Sequence, residues 1–292
     1  MARARYVALA ALMAALSFYP TVAGNPDQAE QGAQWRPLFN GKDLAGWYTF
    51  FQKHGRDSDP DRVITIEDGV IHAYKHASHG SEVVMGYMGT DQEFSDYHFR
   101  LRYKWGRKQF YPRFIHKPDS GVYYHHVTED RVWPQALQFQ VELHDTGDLL
   151  TAGFIKVDTT IDPSNHSELW QQFLPKDRGG VPYTTKVGGG VAYTRRLENH
   201  EVDGWNTIDL IVKGDSAVHV VNGQLVNRCT NIRHRDPADP DKWLPLTKGR
   251  ILVEFEATEI FFKDIQIRQL SPAETIDEAV HSAARDFKSS SP

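Results

Sequence analysis

Cysteine is almost missing from this chain: Cys229 stands alone among 292 residues. No intramolecular disulfide can form, so a small, disulfide-stapled extracellular scaffold is excluded and the fold must rest on its core. Basic charge is scarce as well. The 33 Lys and Arg are outnumbered by 38 Asp and Glu, for a formal charge of −5, which leaves no basic field to draw in nucleic acid. Long 3.6-residue periodicity is nearly absent before residue 271, and nothing suggests βαβ units. Several chemistries lack the spacing they need. There is no His-Glu-x-x-His, no Gly-x-Ser-x-Gly and no phosphate-binding glycine loop; "KVGGGVAY" has no Lys-Ser/Thr after it and reads as a loop hinge.

The N-terminus "MARARYVALAALMAALSFYPTVAG" places two arginines before an apolar run from Tyr6 to about Leu16 and ends on Thr21-Val22-Ala23. That order predicts a secretory signal peptide over residues 1–23, and the run is too short to span a bilayer. A periplasmic or secreted protein follows, with residues 24–292 as one domain and no membrane span; the oligomeric state stays open. Losing Arg3 and Arg5 with the leader would take the formal charge from −5 to −7.

What remains is mostly β. Short runs rich in Val, Ile, Tyr and Phe recur between turn signals. "ITIEDGVIHAY" (Ile64 to Tyr74) and "VHVVNGQLVNR" (Val218 to Arg228) set Asp-Gly and Asn-Gly between strand-like runs, the residues that type I′ hairpins need. Further strands are expected over Asp96–Gly106, Ser120–Val127, Thr207–Gly214, Arg250–Ala257 and Glu259–Leu270. Segments Gly106–Asp119 and Lys156–Gly190 read as loops, and a short helix is predicted after Ser271-Pro272. Antiparallel strands at this spacing predict a sandwich or jelly roll around one core.

"ALQFQVELHD" (Ala136 to Asp145) alternates strictly. Leu137, Phe139, Val141 and Leu143 share one face of a strand, and Gln138, Gln140, Glu142 and His144 share the other. The polar row either meets solvent or lines a site. An ordinary glycosidase mounts two carboxyls, one as acid and one as nucleophile or base. Two of the candidate positions here are amides, which bind hydroxyls but exchange no proton at neutral pH. His72, His76 and His79 would hold a metal only on a helix, which the preceding Asp-Gly turn opposes. His125 and His126 are neighbours on a strand, so at most one faces a given site.

Seven ordered blocks resemble the 3-keto-disaccharide hydrolase family: "WRPLFNGKDLAGW", "DGVIHAY", "FSDYHFRLRYKWG", "DSGVYYHH", "LQFQVELHDTGDL", "GWNTIDLIVKGDSAVHVVNGQLVNR" and "GRILVEFEATEIFFKDIQI". The resemblance implies a concanavalin-like jelly roll of two curved antiparallel sheets, an all-β fold with a carbohydrate site on one sheet. It also implies activity on glycosides already oxidised at C3. The family often has Glu where this chain has Gln138, Arg or Asn where it has Pro118, and Gln where it has Glu254.

A C3 ketone acidifies the C2 hydrogen, so one base can remove it and expel the aglycone from C1, after which water adds to the enone. The reaction needs a base near neutral pKa, donors for the enolate oxygen and an acid for the leaving group. On this reading His144 is the first candidate base and His125 the second, with Glu142 as acid or orienting partner. Gln138, Gln140 and Arg102 would bind hydroxyls or the enolate, and Tyr124 and Trp133 would stack on sugar rings. A divalent metal could replace the donors. The alternative function is a non-catalytic, lectin-like carbohydrate-binding module.

Overall fold

The structure is a computed structural model describing residues 34–167, 169–186 and 190–290. The proposed leader and the centre of the glycine run lie outside these residues. Two sheets stack face to face in a jelly-roll sandwich. The nine-stranded sheet runs, edge to edge, Trp170–Gln172, Val191–Arg195, Leu149–Ala152, Leu137–Glu142, Asp119–His126, Arg250–Phe255, Gly86–Thr90, Trp47–Phe51 and Gly55–Arg56. The eleven-stranded sheet follows a main path of Val181–Thr184, Ile155–Ile161, Gln224–Arg235, Ser216–Val221, Asn206–Lys213, Tyr97–Gln109, Thr258–Gln269, Val70–Ala73 and Ile64–Glu67. All ladders between these strands are antiparallel except that of Trp170–Gln172 with Val191–Arg195.

The core lies between the sheets. Leu137, Phe139, Val141, Val122, Val253 and Phe255 meet Phe99, Leu101, Ile208, Leu210 and Val212, all fully buried. Emptying one large aromatic position of this kind, such as Phe139, costs about 3 to 5 kcal/mol. The two hairpin turns form as their residues require: Asp68 and Gly69 have φ of 50° and 77°, Asn222 and Gly223 48° and 75°. Cys229 is buried, and its thiol is pushed up to about 12 by burial.

Two expectations give way to tertiary partners, and the expected C-terminal helix forms. Lys156–Gly190 is not a continuous loop: Ile155–Ile161 pairs with Gln224–Arg235 and with Val181–Thr184, which satisfies backbone groups that a loop would leave to water. The strand begun at Tyr97 continues through Gly106 to Gln109 because Thr258–Gln269 offers a ladder of equal length. The C-terminal helix starts at Ile276, beyond Ser271-Pro272. Thr275 and Glu278 cap it reciprocally, the Thr275 hydroxyl accepting from the Glu278 N–H at 3.2 Å and Glu278 Oε2 accepting from the Thr275 N–H at 2.7 Å. Its Ala279 and Ala283 pack on Ile211, Val218 and Val220, covering the outer face of the larger sheet. Among the described residues no helix is long and apolar enough to cross a membrane.

Candidate functional site

The alternation of the 137–142 strand survives as far as Glu142. Leu137, Phe139 and Val141 point into the core, and Gln138, Gln140 and Glu142 point to the outer face of the nine-stranded sheet. The next strand, Asp119–His126, sets Asp119 opposite Glu142, Gly121 opposite Gln140 and Tyr123 opposite Gln138. Beyond it, Glu254 alternates with the core residues Val253 and Phe255, and Glu256 follows just past the end of its strand. Three strands far apart in sequence thus pool their polar positions on one face.

These side chains form a continuous chain of contacts. Gln140 Nε2 donates to Asp119 Oδ1 at 2.9 Å. Arg113, from the 110–118 loop, donates through Nη2 to Asp119 Oδ2 at 2.7 Å. Its Nε lies 3.1 Å from Glu256 Oε1, close enough for charge attraction though out of hydrogen-bonding alignment. Glu256 lies beside the Trp133 indole and Glu254, both of which lower its proton affinity. Glu254 in turn accepts from Gln138 Nε2 at 2.8 Å and from the Tyr123 hydroxyl at 3.0 Å. Gln138 reaches Glu254 by crossing over Gly121, where an added Cβ would come within 2.1 Å of Gln138 Nε2. A glycine is therefore a requirement of the site rather than of the strand.

Charge is out of balance here. Burial raises Asp119 and Glu254 well above the usual carboxyl range, and their carboxyl neighbours add to it: Glu256 and Glu142 for Asp119, Glu256 and Asp119 for Glu254. Glu256 is also raised by burial, against the lowering pull of Arg113. Burial raises Glu142, with Asp145 contributing. One guanidinium in direct contact cannot neutralise so many desolvated carboxyls, so protons are retained on the cluster. Buried carboxylic acids beside a guanidinium-paired carboxylate supply both an acid and a base.

The residues expected from the sequence are dispersed. Gln138, Gln140 and Glu142 lie in this cluster, and Trp133, half exposed on the 127–136 loop, touches Glu256. His144 does not share the face of Glu142. The strand stops at Glu142, and His144 sits exposed in a turn with φ of 69°. That turn is held by Glu201, which accepts from the His144 N–H at 2.6 Å and from Tyr103 and Trp105 at 2.7 Å each. Leu143 leaves the buried row at the same point.

His125 is turned away by a β-bulge where its strand pairs with Arg250–Phe255, and its own φ is 56°. Its fully buried ring is held neutral, with a pKa lowered by burial to about 4. His126 takes the outer face instead, near Tyr87 and Asp130. Tyr124 points into the core and hydrogen-bonds His219 Nε2 at 3.1 Å, so it offers no ring to a sugar. Arg102 lies on the other sheet, between Thr207 and Lys263. Asp119, Glu254, Glu256 and Arg113 were missed. The alternation Val253-Glu254-Phe255-Glu256 repeats the signal of the 137–142 strand and could have revealed two of them; a loop arginine leaves no such trace.

No group of three His, Cys, Asp or Glu among the described residues is arranged to hold a metal ion. Within the cluster Arg113 already occupies the position between Asp119 and Glu256 that a cation would take, so the residues present do not fit one. The four principal surface cavities, of about 410 to 1090 Å³, are lined by other residues. Arg113 and Trp133, from the two flanking loops, contact the cluster directly.

Residues 34–268 match the model of the 3-keto-α-glucoside-1,2-lyase-like domain, and the chain belongs to that family of carbohydrate-active domains. No curated protein matches it. Among solved structures it is similar to two proteins of Parabacteroides distasonis ATCC 8503 that carry the provisional name glycosyl hydrolase, each 20% identical. One alignment covers 81% of this chain and all of the other at a TM-score of 0.44; the second covers 86% and 99% at 0.45. The carbohydrate-binding module CBM66 of Bacillus subtilis is 8% identical over 77% of this chain and 96% of its own, at 0.44. Similarity this distant is silent on substrate and reaction. Two of the three departures noted from the resemblance, Gln138 and Glu254, touch each other, so the pair keeps one amide and one carboxyl with their positions exchanged.

Proposed function

We propose, with that membership as premise, that the protein cleaves 3-keto-glycosides or 3-keto-disaccharides at the Asp119–Glu254–Glu256 cluster. The observation that carries this reading is a trio of buried carboxyls sharing a single guanidinium, too few positive charges for all three to ionise together. Glu256, held toward its anionic form by Arg113 and the Trp133 indole, takes the C2 proton. The electron pair forms the C1=C2 bond as the C1–oxygen bond breaks, and the departing aglycone oxygen takes a proton from Glu254. Glu254 then takes a proton from water as its hydroxyl adds to C1, and Glu256 returns its proton to C2, giving net hydrolysis with both carboxyls restored. Arg113 and the amides of Gln138 and Gln140 offer donors to the enolate oxygen, and Trp133 offers its ring to the sugar. In this reading the protein is exported, as its N-terminus predicts.

The test pairs glucosides with the same glucosides oxidised at C3 and follows aglycone release together with exchange of the C2 hydrogen in deuterated buffer. Release is expected from the oxidised members. Glu256→Gln should lose exchange and release together, while Glu254→Gln should keep part of the exchange and release slowly. Release from the unoxidised glucosides alone overturns the reading. Saturable binding of both series with no release would instead favour the lectin-like alternative.

A further inference from the structure

The opposite sheet carries a second built cavity. The 97–109 strand presents Arg100 and Arg102, two apart and therefore on one face, which here is the outer face of the eleven-stranded sheet. The neighbouring strand sets Thr207 beside Arg102 and Asp209 beside Arg100. On the other side the 258–269 strand bulges between Lys263 and Gln266, and Asp264 takes a φ of 52° within the bulge. The bulge pushes Ile265 toward the chain entering at Leu38 and Phe39, whose N–H groups both donate to the Ile265 carbonyl. A cavity of about 480 Å³ opens among these elements, lined by Arg100, Arg102, Thr207, Asp264, Gln266 and Phe39 among others. That is within the usual range for small-ligand sites, about 300 to 1,000 Å³.

Hydrogen-bonding capacity in this cavity is left over. Arg100 spends Nε on Asp209 at 2.6 Å and Nη1 on Asp286 at 3.1 Å, while its buried Nη2 has no hydrogen-bond partner among the described residues. Arg102 meets Asp264 at 3.5 Å, and its buried Nε has no hydrogen-bond partner among the described residues. A buried donor left without an acceptor is costly, so both atoms call for an acceptor from a ligand. Half of the Asp264 side chain faces solvent, 52%, so its oxygens remain available as acceptors. The charges decide what kind of ligand fits. Two guanidiniums face Asp209, Asp264 and Asp286, so an anion gains no net attraction, and a cation would meet the guanidinium edges directly. A neutral ligand with adjacent donors and acceptors suits both kinds of group, and vicinal hydroxyls match the fork of an arginine.

We propose that this cavity is a second carbohydrate site, taking a neutral saccharide through its vicinal hydroxyls, on the face of the sandwich opposite the carboxyl cluster. Its role is attachment. The proposal does not depend on the 3-keto reading, because it concerns unoxidised sugar and a different sheet.

The probe is methyl α-glucopyranoside, together with maltose and cellobiose, titrated into the folded protein labelled with nitrogen-15. Saturable shifts are expected at the backbone amides of Arg102, Thr207 and Gln266 and at the arginine side-chain Nε–H groups, with dissociation constants in the millimolar range. Arg102→Gln and Asp264→Asn should each weaken binding about fivefold or more, a loss in keeping with one hydrogen bond. Asparagine tolerates the positive φ at 264, so that variant keeps the bulge. Glu254→Gln should leave these shifts unchanged. The proposal is overturned if all three sugars leave residues 100–102 and 207 unshifted, or if the two variants bind as the wild type does. Shifts confined to the carboxyl cluster would overturn it as well, while leaving the 3-keto reading intact.

Discussion

Asp209 and Glu254 are both buried, one on each sheet, and yet their proton affinities are pushed in opposite directions. Burial would raise both. At Asp209 the hydrogen bond from His98, 2.7 Å, and the charge of Arg100, 2.6 Å away, outweigh it and hold the carboxyl below its ordinary range. Glu254 receives two neutral donors and lies beside other carboxyls that share the single Arg113, so burial wins and the carboxyl is raised well above its ordinary range. Depth therefore says little about charge; the number of cations and donors per carboxyl decides it. The first arrangement fastens a helix and strands together, since Arg100 also reaches Asp286 of the C-terminal helix. The second sets carboxyls of raised proton affinity side by side.

The largest expected effect tests the cluster as chemistry. Glu256→Gln, which keeps shape and removes the base, should lower aglycone release from a 3-keto-glucoside about 10²- to 10⁴-fold. Asp209→Asn on the other sheet should leave the rate per folded molecule unchanged, and steady-state kinetics on both variants would show whether the contrast holds. A matching loss in Asp209→Asn would erase it.

Stability should respond in reverse. Asp209→Asn leaves Arg100 without its buried partner and should cost about 3 to 5 kcal/mol in denaturant unfolding. Glu254→Gln should cost little at neutral pH, because it replaces a group that folding already keeps protonated. The pH dependence carries opposite signs. Asp209, with its folded value lowered, contributes stability that is present above the unfolded carboxyl value of about 3.9 and fades as pH falls through the folded one. Glu254, with its folded value raised, contributes most below the unfolded value of about 4.3 and loses that contribution as pH rises toward the folded one. Unfolding curves of Glu254→Gln from pH 4 upward should therefore be flatter than those of the wild type. Equal slopes would mean that Glu254 is not held protonated.

A smaller effect concerns the exchanged pair. Gln138→Glu adds a carboxyl to an overcharged cluster and should destabilise. Combined with Glu254→Gln it should recover, with a coupling of about 0.5 to 3 kcal/mol in a double-mutant cycle. Additive effects would show that the two side chains do not act as a pair. Smallest of all is His144. His144→Asn, compatible with its positive φ, should shift stability by no more than about 0.5 kcal/mol and leave C2 exchange at the wild-type rate. Lost exchange would return the base to that turn and shift the chemistry away from the carboxyl cluster.

Much of this protein was legible in the sequence by itself. Backbone preferences and side-chain periodicity act over a few residues, so the two I′ hairpins, the β character and the inward row Leu137, Phe139 and Val141 follow from local order, and the seven ordered blocks point to the family. Tertiary structure decided the rest. Where the 137–142 strand stops depends on Glu201 drawing in the His144 N–H from more than fifty residues away. The bulge against a neighbouring strand turns His125 inward. Arg113, Asp119, Gln138, Glu254 and Glu256 meet only because three strands and a loop, widely separated along the chain, pair in one sheet. Proton affinity is set by neighbours across that sheet rather than by neighbours in sequence, which is why the polar row was readable as a row but its chemistry was not.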